Sequence, residues 1–330
     1  WVAVDRDQRP IFHYAGIPCR LRLPAGDFDI LVGVDFWTLP EYRRQGIFTR
    51  CASWIHQHWR HAGYAGLLGA PNEQFGSRDR FLGWRPLFPL RWQIRPLRPE
   101  AILARRLRLA SLGRLRGLGD LWNRYWDRGA QLPSGLDVES LGDETLGVET
   151  LGAESLGDET LGDETLGADD DAGGWLGAPA SVPLPAAPWG LERGADWLRW
   201  RYLDCPQHDY RLLRLAQDQR SVGYLAYRIE ELAGRHFGFI AETVAEGDAP
   251  DGIEALITAG TERLAAAGVD AIATLSIPGT DLYRRWRRRG YRFSWGSFGI
   301  QCLPFRQVMD PDGLRDPSRW SLMGGDFDVI

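Results

Sequence analysis

Over residues 1–39 the apolar positions fall in short runs separated by polar turns. Trp1–Val4 is followed by a turn at Asp5–Pro10, an irregular run over Ile11–Leu23, a turn at Pro24–Asp27, and a third run over Phe28–Thr38 whose centre is Ile30–Val34. Runs of this length bounded by Gly, Pro and Asp predict a meander of strands. At Ile47 the period changes. Ile47, Phe48, Cys51, Trp54, Ile55, His58 and Trp59 recur at helical spacing as far as His61, which predicts one buried helix face. Gly63 closes that helix. Ala65–Ala70 predicts a short buried strand, Pro71-Asn72-Glu73 a turn, Gln74–Leu82 a short helix ended by Gly83, and Trp84–Ile94 a returning strand. Hairpins first and crossovers later imply mixed antiparallel and parallel pairing.

From Pro96 to Gly129 the chain is rich in Leu and Arg and predicts one or two amphipathic helices, interrupted near Gly113 and Gly117–Gly119, with leucines inward and arginines in water. A pentapeptide repeat follows: LDVES, LGDET, LGVET, LGAES, LGDET, LGDET, LGADD. A Gly in most units costs a helix roughly 1 kcal/mol each, and one Leu in five residues fits neither the helical nor the strand period. Residues 131–188 are therefore expected to be disordered. Order resumes at Trp189. Trp197–Leu203 predicts a short aromatic helix; Tyr210–Leu215, Val222–Ile229 and His236–Glu242 predict strands. Ile253–Ala267 predicts a helix, Ala271–Ser276 a buried strand, Asp281–Arg289 a basic helix, and Tyr291–Cys302 a last strand. This succession repeats that of the first 94 residues element for element. The expected fold is α/β: two lobes with mixed central sheets flanked by helices, over residues 1–95 and 189–310. A helical linker (96–130), a disordered insert (131–188) and a surface tail (311–330) complete the chain.

Composition sharpens a few points. The 330 residues suffice for two ordinary domains. No lysine occurs, so all 39 basic residues are arginine and lysine-based chemistry is excluded. Twelve acidic residues and no basic ones lie between Leu136 and Asp170; against a net charge of −5, the rest of the chain is basic by about seven charges. The cysteines at 19, 51, 205 and 302 are far apart and form no CxxC pair, which suggests neither zinc nor a disulfide framework and fits a reducing, cytoplasmic setting. No apolar run approaches membrane-spanning length. Trp1 opens directly on a strand, which predicts that the start of a longer protein is missing.

The chemistry centres on Val34–Thr49, VDFWTLPEYRRQGIFT. A strand stops at Pro40, tightens into Arg43-Arg44-Gln45-Gly46 and opens a helix at Ile47-Phe48. Helix first-turn amides have no internal partner and the dipole there favours an anion; consecutive amides round a turn make a nest, and a Gly lets a phosphate approach the backbone. Pro40-x-Tyr42-Arg43-x-x-Gly46-Ile47-Phe48 resembles the cofactor loop of one branch of the GCN5-related N-acetyltransferase (GNAT) superfamily. Gly69-Ala70-Pro71-Asn72-Glu73 through Leu82-Gly83-Trp84 is similar to that branch's second motif. The resemblance covers residues 1–94 best; residues 190–305 resemble a second, degenerate copy. It departs at Phe48, where the superfamily has Gly or Ala.

The resemblance implies acetyl-CoA as co-substrate. Arg43, Arg44, Gln45, Gly46, Ile47, Phe48 and Thr49 would hold its diphosphate, chiefly by backbone amides. Phe36, Trp37 and Thr38 would pair with the pantetheine, and Asn72 would touch the cofactor from the neighbouring strand. The superfamily's Tyr acid falls at Asp79 and, in the second copy, at Trp286, so it is absent. Asp35 and Glu73 are the candidate bases, with His13 another. The second copy reads TVAEGDAPDG where the loop would be; its carboxylates predict that it binds no CoA. His56-x-His58-x-x-His61 lacks acidic or Cys partners, so no metal is expected. The implied function is transfer of an acetyl group to a small-molecule or saccharide amine, with no nucleic acid partner. The competitors are a non-catalytic acyl-CoA-binding scaffold and a Fem-like transferase using aminoacyl-tRNA.

Overall fold

A computed structural model describes residues 1–71, 82–100, 116–128, 135–141, 189–218, 220–246 and 251–327. The first succession is β1 (Val2–Val4), β2 (Pro10–Leu23), β3 (Gly26–Thr38), α1 (Ile47–His61), β4 (Gly66–Gly69) and β5 (Arg85–Pro96). Then come α2 (Arg116–Trp126), β6 (Leu136–Leu141) and β7 (Gly190–Leu191). A helical segment, α3 (Ala195–Leu198), widens into a π-type turn over Arg199–Leu203. The second succession is β8 (Tyr210–Gln217), β9 (Arg220–Glu231), β10 (His236–Ala245), α4 (Gly252–Ala266), β11 (Ala271–Ser276), α5 (Asp281–Arg288) and β12 (Ser297–Pro304). A short α6 (Pro311–Leu314) follows.

The strands form one sheet rather than one per copy, in the order β1-β2-β3-β4-β12-β5-β11-β10-β9-β8-β6, with β7 attached to β2. Each succession gives its closing strand to the other. β12 lies antiparallel between β4 and β5, and β5 lies antiparallel between β12 and β11. The two parallel pairs, β3–β4 and β10–β11, are those joined through α1 and α4, as crossover connections require.

Three apolar clusters fill the layers. Under α1, Phe12, Tyr14, Leu31, Leu67, Trp84 and Leu303 meet Ala52, Ile55 and Trp59. Under α4 and α5, Leu225, Ile240 and Ile272 meet Leu256, Leu264 and Trp286. The opposite sheet face runs unbroken across both successions, from Leu21, Ile30 and Val32 to Leu90, Ile94, Phe239 and Tyr224. That face is covered in part by α3 and by the C-terminal segment.

The C-terminal segment corrects the expectation of a surface tail. Trp320, Leu322, Met323 and Phe327 are each 3% exposed or less. Their burial stabilises the segment by roughly 1.5–3 kcal/mol per side chain. At their centre Arg193 Nε donates to Glu242 at 3.0 Å and Nη2 donates to both Asp326 carboxylate oxygens at 2.6 and 2.7 Å. Tyr224 Oη donates to the other Glu242 oxygen at 2.5 Å, and the Met323 amide donates to Asp326 at 2.7 Å. Burial opposes a charge on Arg193, but Asp326 and Glu242 keep the guanidinium firmly protonated. One cation facing two buried carboxylates cannot neutralise both, and complete burial pushes Asp326 up to about 7 despite Arg193.

Two more expectations change. The first repeat unit is not disordered: Leu136–Leu141 pairs antiparallel with β8, and Arg214 binds Glu139 at 2.9 Å. Alternation in LDVESL suits an edge strand, whereas the Gly-bearing units 142–188 lie outside the described residues. The last strand starts at Ser297 rather than Tyr291, because Tyr291–Gly296 makes an irregular connection held by an Ile94–Phe293 bridge. In the linker 96–100 and 116–128 are described; there α2 anchors by Arg95, whose side chain is buried and pairs with Asp127 through two bonds of 2.9 Å.

Candidate functional site

The site forms where β3 outruns its neighbour. β3 and β4 pair only at Leu31–Leu67 and Val32–Leu68, yet β3 continues to Thr38. Because β12 pairs with β4 antiparallel, with Gln301 opposite Gly69, the Ser297–Ile300 end of β12 runs on past the end of β4. A gap is thus flanked by β3 residues 33–38 on one side and β12 residues 297–300 on the other.

A bulge shapes the β3 wall. His13 pairs with Trp37 and Ala15 with Val34, so Tyr14 alone faces Asp35 and Phe36. Asp35 takes φ 53° and is exposed; its carbonyl accepts from His13 Nδ1 at 2.8 Å. The bulge turns Phe36 back over Gly33, where a Cβ would stand 2.6 Å from the ring, and stacks it on Tyr14 at 3.7 Å. Gly33 is therefore required by close approach. The Phe36 side chain is spent on packing, and what β3 presents to the gap is its backbone edge. Trp37 is partly exposed and stacks on His13 at 6.0 Å; Thr38 is buried.

The chain then turns through a single 3-10 turn at Pro40–Tyr42. Tyr42 Oη donates to Asp5 at 2.9 Å and Glu41 pairs with Arg9 at 2.9 Å, so the β1–β2 turn braces it. Arg43 Nε donates to the Thr38 carbonyl at 2.9 Å, and Gln45 Nε2 donates to the Glu41 carbonyl at 3.0 Å. Both side chains stabilise the turn from within. Arg44 at φ 62° and Gly46 at φ 75° alternate the backbone hand, as an amide nest needs. Gly46 is the N-cap of α1, no side chain caps the helix, and the first turn carries no acid. Nothing lies within 4 Å of the Cβ position at Gly46. The cradle is open at Gly46 and runs into the uncapped first turn of Ile47, Phe48 and Thr49, a geometry suited to an anion such as a diphosphate.

Beneath the helix the expected stripe is rotated. Ala52, Ile55, His56 and Trp59 are buried, while Trp54 and His58 are exposed and meet Trp1 at 5.0 and 4.8 Å. His56, not His58, is thus the interior histidine. It lies 2.6 Å from Tyr14 Oη. Burial, with Arg60 nearby, lowers His56 to about 4, and burial raises the Tyr14 phenol. The phenol therefore keeps its proton and the imidazole stays neutral, and the two share this one hydrogen bond. This pair was missed in the sequence, where Tyr14 lay unremarked in the irregular strand.

Asn72, Glu73 and Asp79 lie outside the described residues. Among the described residues at the start of α4, carboxylates take the place that arginines hold at α1. Glu254 in its first turn takes Arg289 at 3.1 Å and Arg288 at 3.5 Å, and Glu246 pairs with Arg220. The α5 arginines are thereby largely engaged, with Trp286 turned inward at 1% exposure. Among the described residues no cluster of His, Cys, Asp or Glu is placed to hold a metal. No helix among them is long and apolar enough to cross a membrane.

The mixed sheet, whose third strand bulges and then parts from its parallel neighbour, is similar in fold to solved structures that include a GCN5-related N-acetyltransferase. A GCN5-related N-acetyltransferase from Anabaena variabilis superposes with a TM-score of 0.55 at 10% identity, over 91% of this chain and 61% of that one. A conserved protein of unknown function from Enterococcus faecalis, described as a probable N-acyltransferase, gives a TM-score of 0.55 at 12% identity, over 91% and 60%. The chain thus spans about three fifths of the length of these structures. No family model matches the sequence, and no curated protein does.

Proposed function

We propose that the chain is an N-acyltransferase that takes an acetyl group from acetyl-CoA and passes it to the amine of a small-molecule or saccharide acceptor. The observation that carries this is the open, uncapped α1 start at Gly46, which the turn at Pro40–Tyr42 joins to the β3 edge bordering the gap. Bound acetyl-CoA supplies an acyl group already activated as a thioester. The protein's part is to hold the diphosphate on the amides of Gly46, Ile47, Phe48 and Thr49, and the pantetheine along the β3 edge at Phe36–Thr38.

The acceptor amine must arrive neutral. Its lone pair forms the C–N bond as the C–S bond breaks, the amine proton leaves to a base, and the thiolate takes a proton from solvent. Asp35 is the described carboxylate nearest the gap in register, three residues past the last β3–β4 pair, and is the base we favour, with Glu73 the alternative and Asn72 a cofactor contact. Residues 1–330 contain no lysine side chain that could serve as an amine nucleophile. The uncapped cradle favours this reading over a Fem-like one, which needs no CoA loop. The test is calorimetry with acetyl-CoA followed by thiol release over an amine panel. Binding followed by amine-dependent thiol release supports the transferase. Binding without release across the panel supports a scaffold, and no binding removes both.

A further inference from the structure

β3 and β4 stop pairing at one point, and each strand carries a glycine there. The last pair is Val32–Leu68, so the next residues are Gly33 and Gly69. β4 has not frayed at that point, because Gly69 still pairs with Gln301 of β12 on its other side. Each glycine is covered by a ring. A Cβ at Gly33 would stand 2.6 Å from Phe36, and a Cβ at Gly69 would stand 3.2 Å from Trp84. The two rings are neighbours, with centroids 6.4 Å apart and planes tilted by 59°. Trp84 stands immediately before β5 and is 2% exposed.

The β3 bulge brings Phe36 to this place. Leu31 packs under α1, while Val32 and Val34 face away from it. Plain alternation would send Phe36 away as well. The extra residue at Asp35 reverses this, and Phe36 joins Trp84 in the cluster under α1. Neighbouring strands lie about 4.8 Å apart. Two tilted rings, one seated on each strand's glycine, fill the 6.4 Å between their centroids. They would be driven into each other before Gly33 and Gly69 could pair. The same block of rings reaches the cradle. Phe36 stacks on Tyr14 at 3.7 Å, and Tyr14 meets Phe48, the second residue of α1, at 5.8 Å. Tyr14 is also bonded to His56 of α1 at 2.6 Å.

We propose that Trp84 is a positioning residue: seated on Gly69 against Phe36, it holds β4 off β3 and keeps the β3 edge past Val32 unpaired for a pantetheine arm. The inference rests on the acyl-transfer reading above. Through Phe36, Tyr14 and Phe48 the wedge also fixes that edge relative to the start of α1. A ligand gripped at both places must match the span between them. A ligand gripped only at the cradle has no span to match, so loss of the wedge separates the two.

The probes are CoA and 3′-phospho-ADP, which carries the diphosphate of CoA without its pantetheine. Calorimetry on the full chain should show the parent binding CoA about tenfold or more tighter than 3′-phospho-ADP. Trp84→Leu, checked for folding by thermal unfolding, should lose about tenfold or more for CoA and stay within about threefold for 3′-phospho-ADP. Trp84→Phe should recover most of the loss. Gly33→Ala keeps every ring but drives Phe36 from its seat, and should show the same split; it decides the question if Trp84→Leu fails to fold. Hydrogen exchange reads the parent without any substitution: amides within Gly33–Thr38 should gain protection with CoA and not with 3′-phospho-ADP. If the folded variants weaken both ligands alike or leave CoA unchanged, the inference is wrong while the transferase reading stands. Equal affinity of the parent for the two probes, or equal protection by them, overturns it in the same way. If the parent binds neither probe, the acyl-transfer reading falls and this inference falls with it.

Discussion

Gly46→Glu separates the cradle from the fold. Gly46 holds φ 75°, and its Cβ position is open to at least 4 Å. A side chain there meets no protein atom, so the folded state bears only left-handed strain, about 1–2 kcal/mol. The added carboxylate can come within about 5 Å of a diphosphate seated on the helix start. At that distance a unit charge repels a phosphate charge by about 0.8 kcal/mol in water and about 3 kcal/mol at an effective dielectric of about 20. That corresponds to a loss of affinity of roughly 4- to 200-fold. Gly46→Ala carries the same strain without the charge and should weaken binding by less than about threefold. Isothermal calorimetry with CoA gives the affinities, and thermal unfolding shows that each variant is folded. A folded Gly46→Glu that binds CoA within twofold of the parent would refute the assignment of the cradle.

Two further outcomes follow from buried charges. Arg193→Ala leaves Glu242 and Asp326 buried without their cation and should cost about 3–5 kcal/mol in urea unfolding; a loss under 1 kcal/mol would mean that the C-terminal segment is not held by this pair. His56 has a folded value of about 4, below its ordinary 6.5. The folded state therefore binds fewer protons than the unfolded chain between these values. Its contribution is complete above pH 6.5 and is lost as pH falls toward 4, by about 3 kcal/mol in all. His56→Gln, which keeps an acceptor for Tyr14, should flatten the urea stability profile between pH 6.5 and 4.5; an unchanged slope would place the sensitivity elsewhere.

What the sequence disclosed was local. The break at Pro40, the Gly46 turn and the helix from Ile47 to His61 are written in consecutive residues, because turn chemistry and period act over a few positions. The face of that helix was read too broadly. Ala52 and His56 complete the buried stripe with Ile55 and Trp59, and the large size of Trp54 drew attention to the wrong side. The exchange of β5 and β12 leaves no local mark, since either strand satisfies an open edge and the choice depends on how the two successions meet. The burial of Trp320–Phe327 had a signal in the density of Trp, Leu, Met and Phe around Gly324-Gly325. Gly325 fits there because its Cβ would lie 2.6 Å from the Glu242 side chain. The contacts of Trp92 with Phe239, Trp295 and Phe298 leave no local mark either, because β5 lies between strands of the other succession.

The central claim is that one helix start cradles the diphosphate of a CoA thioester and aims its sulfur into the gap between β3 and β12. A crystal structure of the full chain with CoA tests it most directly. The account predicts one CoA per chain, its diphosphate within hydrogen-bond distance of the Gly46–Thr49 amides and its sulfur between Asp35 and Phe298. CoA bound instead at the start of α4, or lying away from both helices, would contradict it.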